Sequence, residues 1–268
     1  MKYKIIYIAV ILLISLSFSL KSSENVKVTA IFGTTEVQNN EAVSILFKFK
    51  IKEQWHIYWK NPGDFGLQTK ITLSDTNFFK IVDIYFKTPI YFEDEDLISY
   101  GYSDSAFLLV TIMPLKPLKD IKYDKLKFDV SWLECKDRCL PGKQKIELSI
   151  KEAKANLTDY LKYFPSEQSD WQFSAELENE AISIRIIKPE WYKHKIPNVE
   201  FFPAELGYFE NKGHKFKIIN DNEALLEIPL DIYRENDPNE IKAVFKFSNL
   251  IDKDNIFNSI EKSIIIKK

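Results

Sequence analysis

The 268-residue chain sets 37 lysines and arginines against 39 aspartates and glutamates, a net charge of −2 with both signs interspersed along its length. That balance, with no basic cluster, excludes the electrostatic footprint of a protein that binds nucleic acid or an anionic membrane surface. Hydrophobic residues at 45% suffice for buried cores, and two cysteines are too few for a disulfide scaffold.

Lys2 and Lys4 precede an uncharged run, Ile5–Leu20. A basic start followed by an apolar stretch is the pattern of a secretory signal, and Ser17 and Ser19 place cleavage after Ser19. The run of 16 residues falls short of the roughly 17–25 that span a bilayer. A retained N-terminal membrane anchor is therefore the alternative to cleavage. Removing residues 1–19 leaves 249 residues with a net charge of −4, room for two domains of ordinary size.

From Val26 onward the pattern is β. Val43, Ile45, Phe47, Phe49 and Ile51 alternate with Ala42, Ser44, Leu46, Lys48 and Lys50, with Leu46 the exception. Gln54–Trp59, Lys70–Leu73, Phe78–Phe86 and Ala106–Met113 read as further strands, with turns or loops at Asn61–Asp64 and Asp94–Asp96. Leu126, Phe128, Val130 and Trp132 alternate with Lys125, Lys127, Asp129 and Ser131, and Ile146, Leu148 and Ile150 repeat the period beyond the cysteines. Short strands without a long helical pattern predict a two-sheet antiparallel β-sandwich over residues 20–152. Residues 153–168 change character and read as a linker, in which Ala153–Phe164 has the pattern of about three helical turns. A second, smaller β domain follows over residues 169–268, with turn signals at Asn211-Lys212-Gly213, Asn220–Asn222 and Asn236–Asn239.

The two cysteines stand in Ser131–Gly142, SWLECKDRCLPG. In a continuous strand, Cys135 and Cys139 would have Cα atoms about 13 Å apart, whereas a disulfide needs roughly 4.4–6.8 Å. A bond therefore requires a turn at Lys136–Arg138, which Asp137 and the following Pro141-Gly142 favour. As a staple the bridge is badly placed: a five-residue loop is worth about 2 kcal/mol in the chain-entropy model, against about 4.7 for a hundred residues. Three readings stay open on these residues: a redox pair tuned by Lys136 and Arg138, a structural staple in a binding or assembly module, and a soft-metal site of the copper-chaperone kind. No histidine lies near the pair in sequence, and a C-x3-C without a second ligand pair is a poor zinc set, so no metal and no cofactor is expected. His56 sits in Trp55–Trp59, an aromatic strand that places His56 and Tyr58 on one face. Ser99-Tyr100-Gly101-Tyr102 has the glycine and aromatic rings of a loop that closes over something.

Taken in order, WHIYWKNPGDFGLQTKI (Trp55–Ile71), YGY (Tyr100–Tyr102) and WLECKDRCLPG (Trp132–Gly142) resemble the periplasmic N-terminal region of the DsbD/ScsB thiol-disulfide reductases. The second half is similar to the domain that follows in the ScsB-like branch, with Phe201-Phe202-Pro203 and Gly207 at matching places. The resemblance implies a periplasmic immunoglobulin-like domain whose cysteines, here Cys135 and Cys139, cycle between dithiol and disulfide. It implies reduction by a membrane-embedded thiol reductase, separate here because no membrane domain lies within these residues. It further implies delivery of electrons to thioredoxin-like partners, including those of cytochrome c maturation. Tyr100, Gly101 and Tyr102 match the family's cap over the cysteines, with His56 and Tyr58 on the strand beside it, and Cys139 matches the attacking thiol.

Overall fold

The computed structural model describes residues 23–33, 42–74, 76–116, 125–149, 155–254 and 256–267. The signal-like run and cleavage position lie outside these residues. Among the described residues no helix is long and apolar enough to cross a membrane.

Among the described residues, ten strands build the first unit: β1 (Val26–Phe32), β2 (Val43–Ile51), β3 (His56–Gly63), β4 (Lys70–Leu73), β5 (Phe79–Phe86), β6 (Ile90–Asp94), β7 (Leu97–Ser103), β8 (Ser105–Pro114), β9 (Lys125–Cys135) and β10 (Cys139–Ser149). One sheet runs β1-β2-β8-β5; the other runs β10-β9-β3-β7-β6, with β4 also paired to β9. The pairings between these strands are antiparallel. The period of two explains the layering: in β8 and β9 every second side chain turns inward, so Phe47, Phe49, Leu108, Val110, Phe128 and Val130 meet between the sheets. Each such side chain contributes roughly 1.5–3 kcal/mol on burial. The expected immunoglobulin-like sandwich is the fold observed.

Leu46, the exception to the alternation, is nonetheless fully buried. Its face of the sheet is crossed by the segment from Ala155, where Ala155 N–H bonds the Phe32 carbonyl at 2.8 Å and Tyr160 packs edge-on against Phe107. That segment holds a single helical turn, α1 (Thr158–Leu161), in place of the three turns predicted over 153–164. Pro165 and the docking of the tyrosines on the sheet leave no length for more.

The second unit has, among the described residues, seven strands: β11 (Gln172–Glu178), β12 (Ala181–Ile187), β13 (Val199–Pro203), β14 (Lys215–Asn220), β15 (Glu223–Pro229), β16 (Glu240–Phe247) and β17 (Ser259–Lys267). They run in the order β13-β16-β17-β11-β12-β15-β14. β17 turns the corner, pairing antiparallel with β16 and then parallel with β11 at Ile266 and Lys267. Phe201, Phe245, Ile184 and Leu226 fill its own core.

Two expectations differ in the first unit. Asn61–Gly63 continues β3 rather than turning, and Tyr100-Gly101-Tyr102 is the middle of strand β7, not a loop. The tyrosine rings decide the second case. Tyr100 and Tyr102 are buried to 0% and 1% exposure, and their hydroxyls are satisfied by Asn211 Oδ1 and the Lys87 carbonyl, each at 2.6 Å. The acidic stretch beside them does form a turn, between β6 and β7, with Glu95 at φ 53°.

Candidate functional site

β9 ends at Cys135 and β10 begins at Cys139, and the two residues are paired across the hairpin. Their side chains therefore leave the same face, and the Lys136–Arg138 turn brings the Cα atoms to 4.1 Å with the sulfurs joined as a disulfide. The two sulfurs are not equivalent. Cys135 is 2% exposed, whereas Cys139 lies on the exposed side of the hairpin. An incoming thiol reaches Cys139 first.

β9 is long enough to pair with two strands in turn. Lys70–Leu73 of β4 takes Phe128–Ser131, and the last residues of β9 meet β3, placing His56 opposite Cys135. Side chains directly opposite in an antiparallel pair share a face, so His56 and Tyr58 stand beside the disulfide. Tyr58 O–H donates to Cys135 Sγ at 3.2 Å, and His56 Nε2 lies 3.2 Å from the same phenol oxygen. With the phenol hydrogen committed to sulfur, Nε2 carries the proton that the phenol oxygen accepts. Burial lowers the His56 pKa below its ordinary 6.5, keeping the ring neutral at pH 7, and raises that of Tyr58 to about 12. The result is a neutral donor row, His56 to Tyr58 to Cys135.

Two rings cover this row. Phe92 of β6 stacks on His56 with centroids 4.6 Å apart, and Phe65, in the loop after β3, meets Tyr58 edge-on at 6.0 Å. Gly66, at φ +108°, lets that loop lie flat on the phenol, since a Cβ there would sit 2.3 Å from a Tyr58 ring carbon. On the opposite face of β9, Glu134 is 2% exposed. Its carboxylate accepts hydrogen bonds from Ser23 Oγ at 2.5 Å and from Asn25 Nδ2 and Trp132 Nε1, each at 2.8 Å. Three donors satisfy this buried carboxylate, and Ser23 and Asn25 tie the start of the described chain to the residue before Cys135.

The sequence-predicted residues thus divide. Cys135, Cys139, His56 and Tyr58 come together at one site. Tyr100 and Tyr102 face the core, and Gly101 lies between, on β7 opposite Tyr58. Lys136 is tied to Gln54 Oε1 at 2.6 Å, so its ammonium is directed to that amide rather than left free to tune a sulfur. Phe65, Gly66, Phe92 and Glu134 escape a reading of the sequence: an aromatic before an acidic turn looks like any strand residue, and Glu134 looks like a solvated position in an alternating strand. Among the described residues, no group of three or more histidine, cysteine or carboxylate side chains is placed to hold a metal ion.

Chemically the row serves a leaving group. When a thiolate attacks the exposed Cys139 Sγ, the Cys135 sulfur departs with the bonding pair, and the Tyr58 O–H is already aimed at it. Thiolate departure depends on how well that charge is held. Tyr58→Phe removes the donor and leaves the ring. A hydrogen bond to a charged group is worth about 1.5–3 kcal/mol, and sulfur is a weak acceptor, so the reduction rate by dithiothreitol is expected to fall about tenfold. Stopped-flow reduction measures it; an unchanged rate would remove Tyr58 from the chemistry.

Residues 23–151 match the family model described as "Thiol:disulfide interchange protein DsbD, N-terminal". The structure is similar to that of the N-terminal periplasmic domain of ScsB from Proteus mirabilis, at TM-score 0.65 and 12% identity, covering 90% of this chain and 94% of that one. The reduced N-terminal domain of DsbD from Neisseria meningitidis also matches, at TM-score 0.31 and 13% identity over 46% of this chain and 83% of that one. No curated protein matches.

Proposed function

Residues 23–151 belong to the DsbD/ScsB family of N-terminal thiol-disulfide interchange regions, and from that premise we propose that this chain is a periplasmic thiol-disulfide exchange module. The observation that carries the reading is the asymmetry of the pair, one sulfur exposed and the other buried under a hydrogen-bond donor. In the reduced form the Cys139 thiolate attacks a disulfide of a thioredoxin-like partner. A bond forms between Cys139 Sγ and the attacked sulfur, and the partner's other sulfur leaves as thiolate and takes up a proton. Cys135, deprotonated in turn, attacks Cys139 Sγ, closes the intramolecular disulfide and releases the partner's second thiolate. Two electrons have then passed to the partner. A membrane-embedded thiol reductase returns them, and partners of cytochrome c maturation fall within the range of clients. The signal-like N-terminus supports export to the compartment where this chemistry is needed.

The test is a capture experiment in the native host. Cys135→Ser keeps the attacking thiol and removes the resolving one, so it is expected to accumulate a mixed disulfide with a thioredoxin-fold protein, identified by mass spectrometry and released by dithiothreitol. Cys139→Ser is expected to accumulate at least tenfold less. If neither variant captures such a partner, the exchange reading falls; if Cys139→Ser captures and Cys135→Ser does not, the roles of the two thiols are reversed.

A further inference from the structure

The Asn211-Lys212-Gly213 turn of the second unit looks, in sequence, like an ordinary connection between strands. In the structure it reaches into the first unit at two places. Lys212 Nζ lies 3.5 Å from Glu93 Oε1, 3.2 Å from Asp96 Oδ1 and 3.4 Å from the Glu95 carbonyl, so it spans the turn between β6 and β7. Asn211 Nδ2 donates to Asp64 Oδ1 at 2.6 Å, and Asn211 Oδ1 accepts the Tyr100 hydroxyl at 2.6 Å. Asp64 in turn receives the Ile98 N–H on Oδ2 at 2.6 Å and donates its own N–H to the Ile98 carbonyl at 2.8 Å.

These two anchorages coincide with the two rings that pack on the His56–Tyr58 pair beside the disulfide. The β6–β7 hairpin held by Lys212 carries Phe92, the ring stacked on His56. The loop held by Asn211 through Asp64 carries Phe65, the ring against Tyr58. At the base of the same hairpin, Tyr91 O–H donates to the Phe201 carbonyl at 2.5 Å, and the Tyr91 ring packs on Phe202 at 4.5 Å. The second unit therefore grips both elements whose rings pack on His56 and Tyr58, the two side chains of the row beside the buried sulfur.

We propose that the Asn211–Lys212 turn is a clamp that holds Phe92 and Phe65 over the His56–Tyr58–Cys135 row and so limits how often Cys135 is opened to attack. The inference rests on the thiol-exchange reading for its biological meaning, but not for its test. The base of the hairpin is held by packed rings, while its tip is held by ion pairs on a partly exposed lysine. Such pairs are individually weak and respond to salt, so the tip is the part that a docking partner can lift without unfolding either unit. In this arrangement Asn211 and Lys212 are positioning residues.

The test uses the full chain in a Cys139→Ser background, where Cys135 is the only thiol, and follows its alkylation by iodoacetamide. Lys212→Glu turns attraction to Glu93 and Asp96 into repulsion and is expected to raise the alkylation rate about fivefold, the scale of two exposed ion pairs reversed. Asn211→Ala is expected to raise it about twofold. Lys212→Glu combined with Glu93→Lys and Asp96→Lys is expected to restore the slow rate, which general damage to the fold would not permit. Phe92→Ala is expected to accelerate alkylation and to make Lys212→Glu silent, because the cover the clamp holds is gone. The ring-current shift that Phe92 imposes on the His56 ring protons, read by NMR, is expected to shrink in Lys212→Glu and return in the charge-swapped protein.

The clamp is overturned if Lys212→Glu leaves the alkylation rate unchanged, if the charge swap fails to restore it, or if Phe92→Ala has no effect. Alkylation needs no partner. Unchanged rates beside successful capture by Cys135→Ser would remove the clamp and leave the exchange function, and failed capture beside the predicted rates would do the reverse.

Discussion

Phe202→Ala is expected to lower the stability of the whole chain by about 3–5 kcal/mol, the range for deleting a buried phenylalanine ring. Phe202 belongs to β13 of the second unit, yet it is fully buried and packs in the core cluster of the first. Its ring meets Trp59 at 6.3 Å, Tyr91 at 4.5 Å and Tyr100 at 5.5 Å. Three large rings lie against it, and Tyr91 and Tyr100 are each fastened by a hydroxyl hydrogen bond across the interface, to Phe201 and Asn211. Walls of this kind cannot collapse into the space left by a deleted ring, which puts the cost at the upper end of the range. Equilibrium urea unfolding measures it. A loss below about 0.5 kcal/mol, the range of surface substitutions, would mean that the units meet by contact rather than by interlocking. Hydrogen bonds across the interface, such as Asn61 Nδ2 to the Pro203 carbonyl at 2.8 Å and Thr88 Oγ1 with Ser259 Oγ at 2.6 Å, are individually worth about 1 kcal/mol.

Gly101→Ala is expected to cost about 3 kcal/mol, the top of the ordinary range for overpacking, and to impair exchange as well. A Cβ at Gly101 would lie 2.0 Å from the Ile57 carbonyl oxygen and 3.1 Å from the Tyr58 Cα. The obstacle is backbone, not a side-chain end that can swing aside. Relief requires β7 to move away from β3 where the two strands pair at Ile57↔Tyr102 and Tyr58↔Gly101. That pairing sets the position of Tyr58, whose hydroxyl is aimed at Cys135. The variant is thus expected to show both a lower unfolding midpoint and a slower reduction by dithiothreitol, whereas Tyr58→Phe shows the second alone. A stable Gly101→Ala protein with native exchange would break the link from β7 through β3 to the sulfur.

Much of this molecule is legible in the order of its residues because two-sided strands leave a period of two. The alternation from Leu126 to Trp132 predicts inward side chains that the structure buries, and the cysteines announce a turn through distance alone. The YGY segment shows where local reading stops. Two aromatic residues around a glycine suit a mobile cover, but aromatic rings are also what a sandwich interior takes up, and only the packing of β7 between β3 and β6 separates the two cases. The cover belongs instead to Phe92 and Phe65, which carry no local mark because their role depends on which strand lies across from them. Glu134 is similar: a glutamate in an alternating strand is ordinarily solvated, and its burial needs three donors, two of them more than a hundred residues away in sequence.

What the sequence determined by itself is the β class of both halves, the hairpin bearing Cys135 and Cys139 and the face shared by His56 and Tyr58, all consequences of short-range periodicity and chain geometry. The tertiary structure alone decided which sulfur is buried, which rings pack on the His56–Tyr58 pair beside it and how the second unit grips the elements that carry those rings. These depend on strands far apart in the chain being brought into register, and register is settled by the burial of whole faces rather than by any local residue pattern.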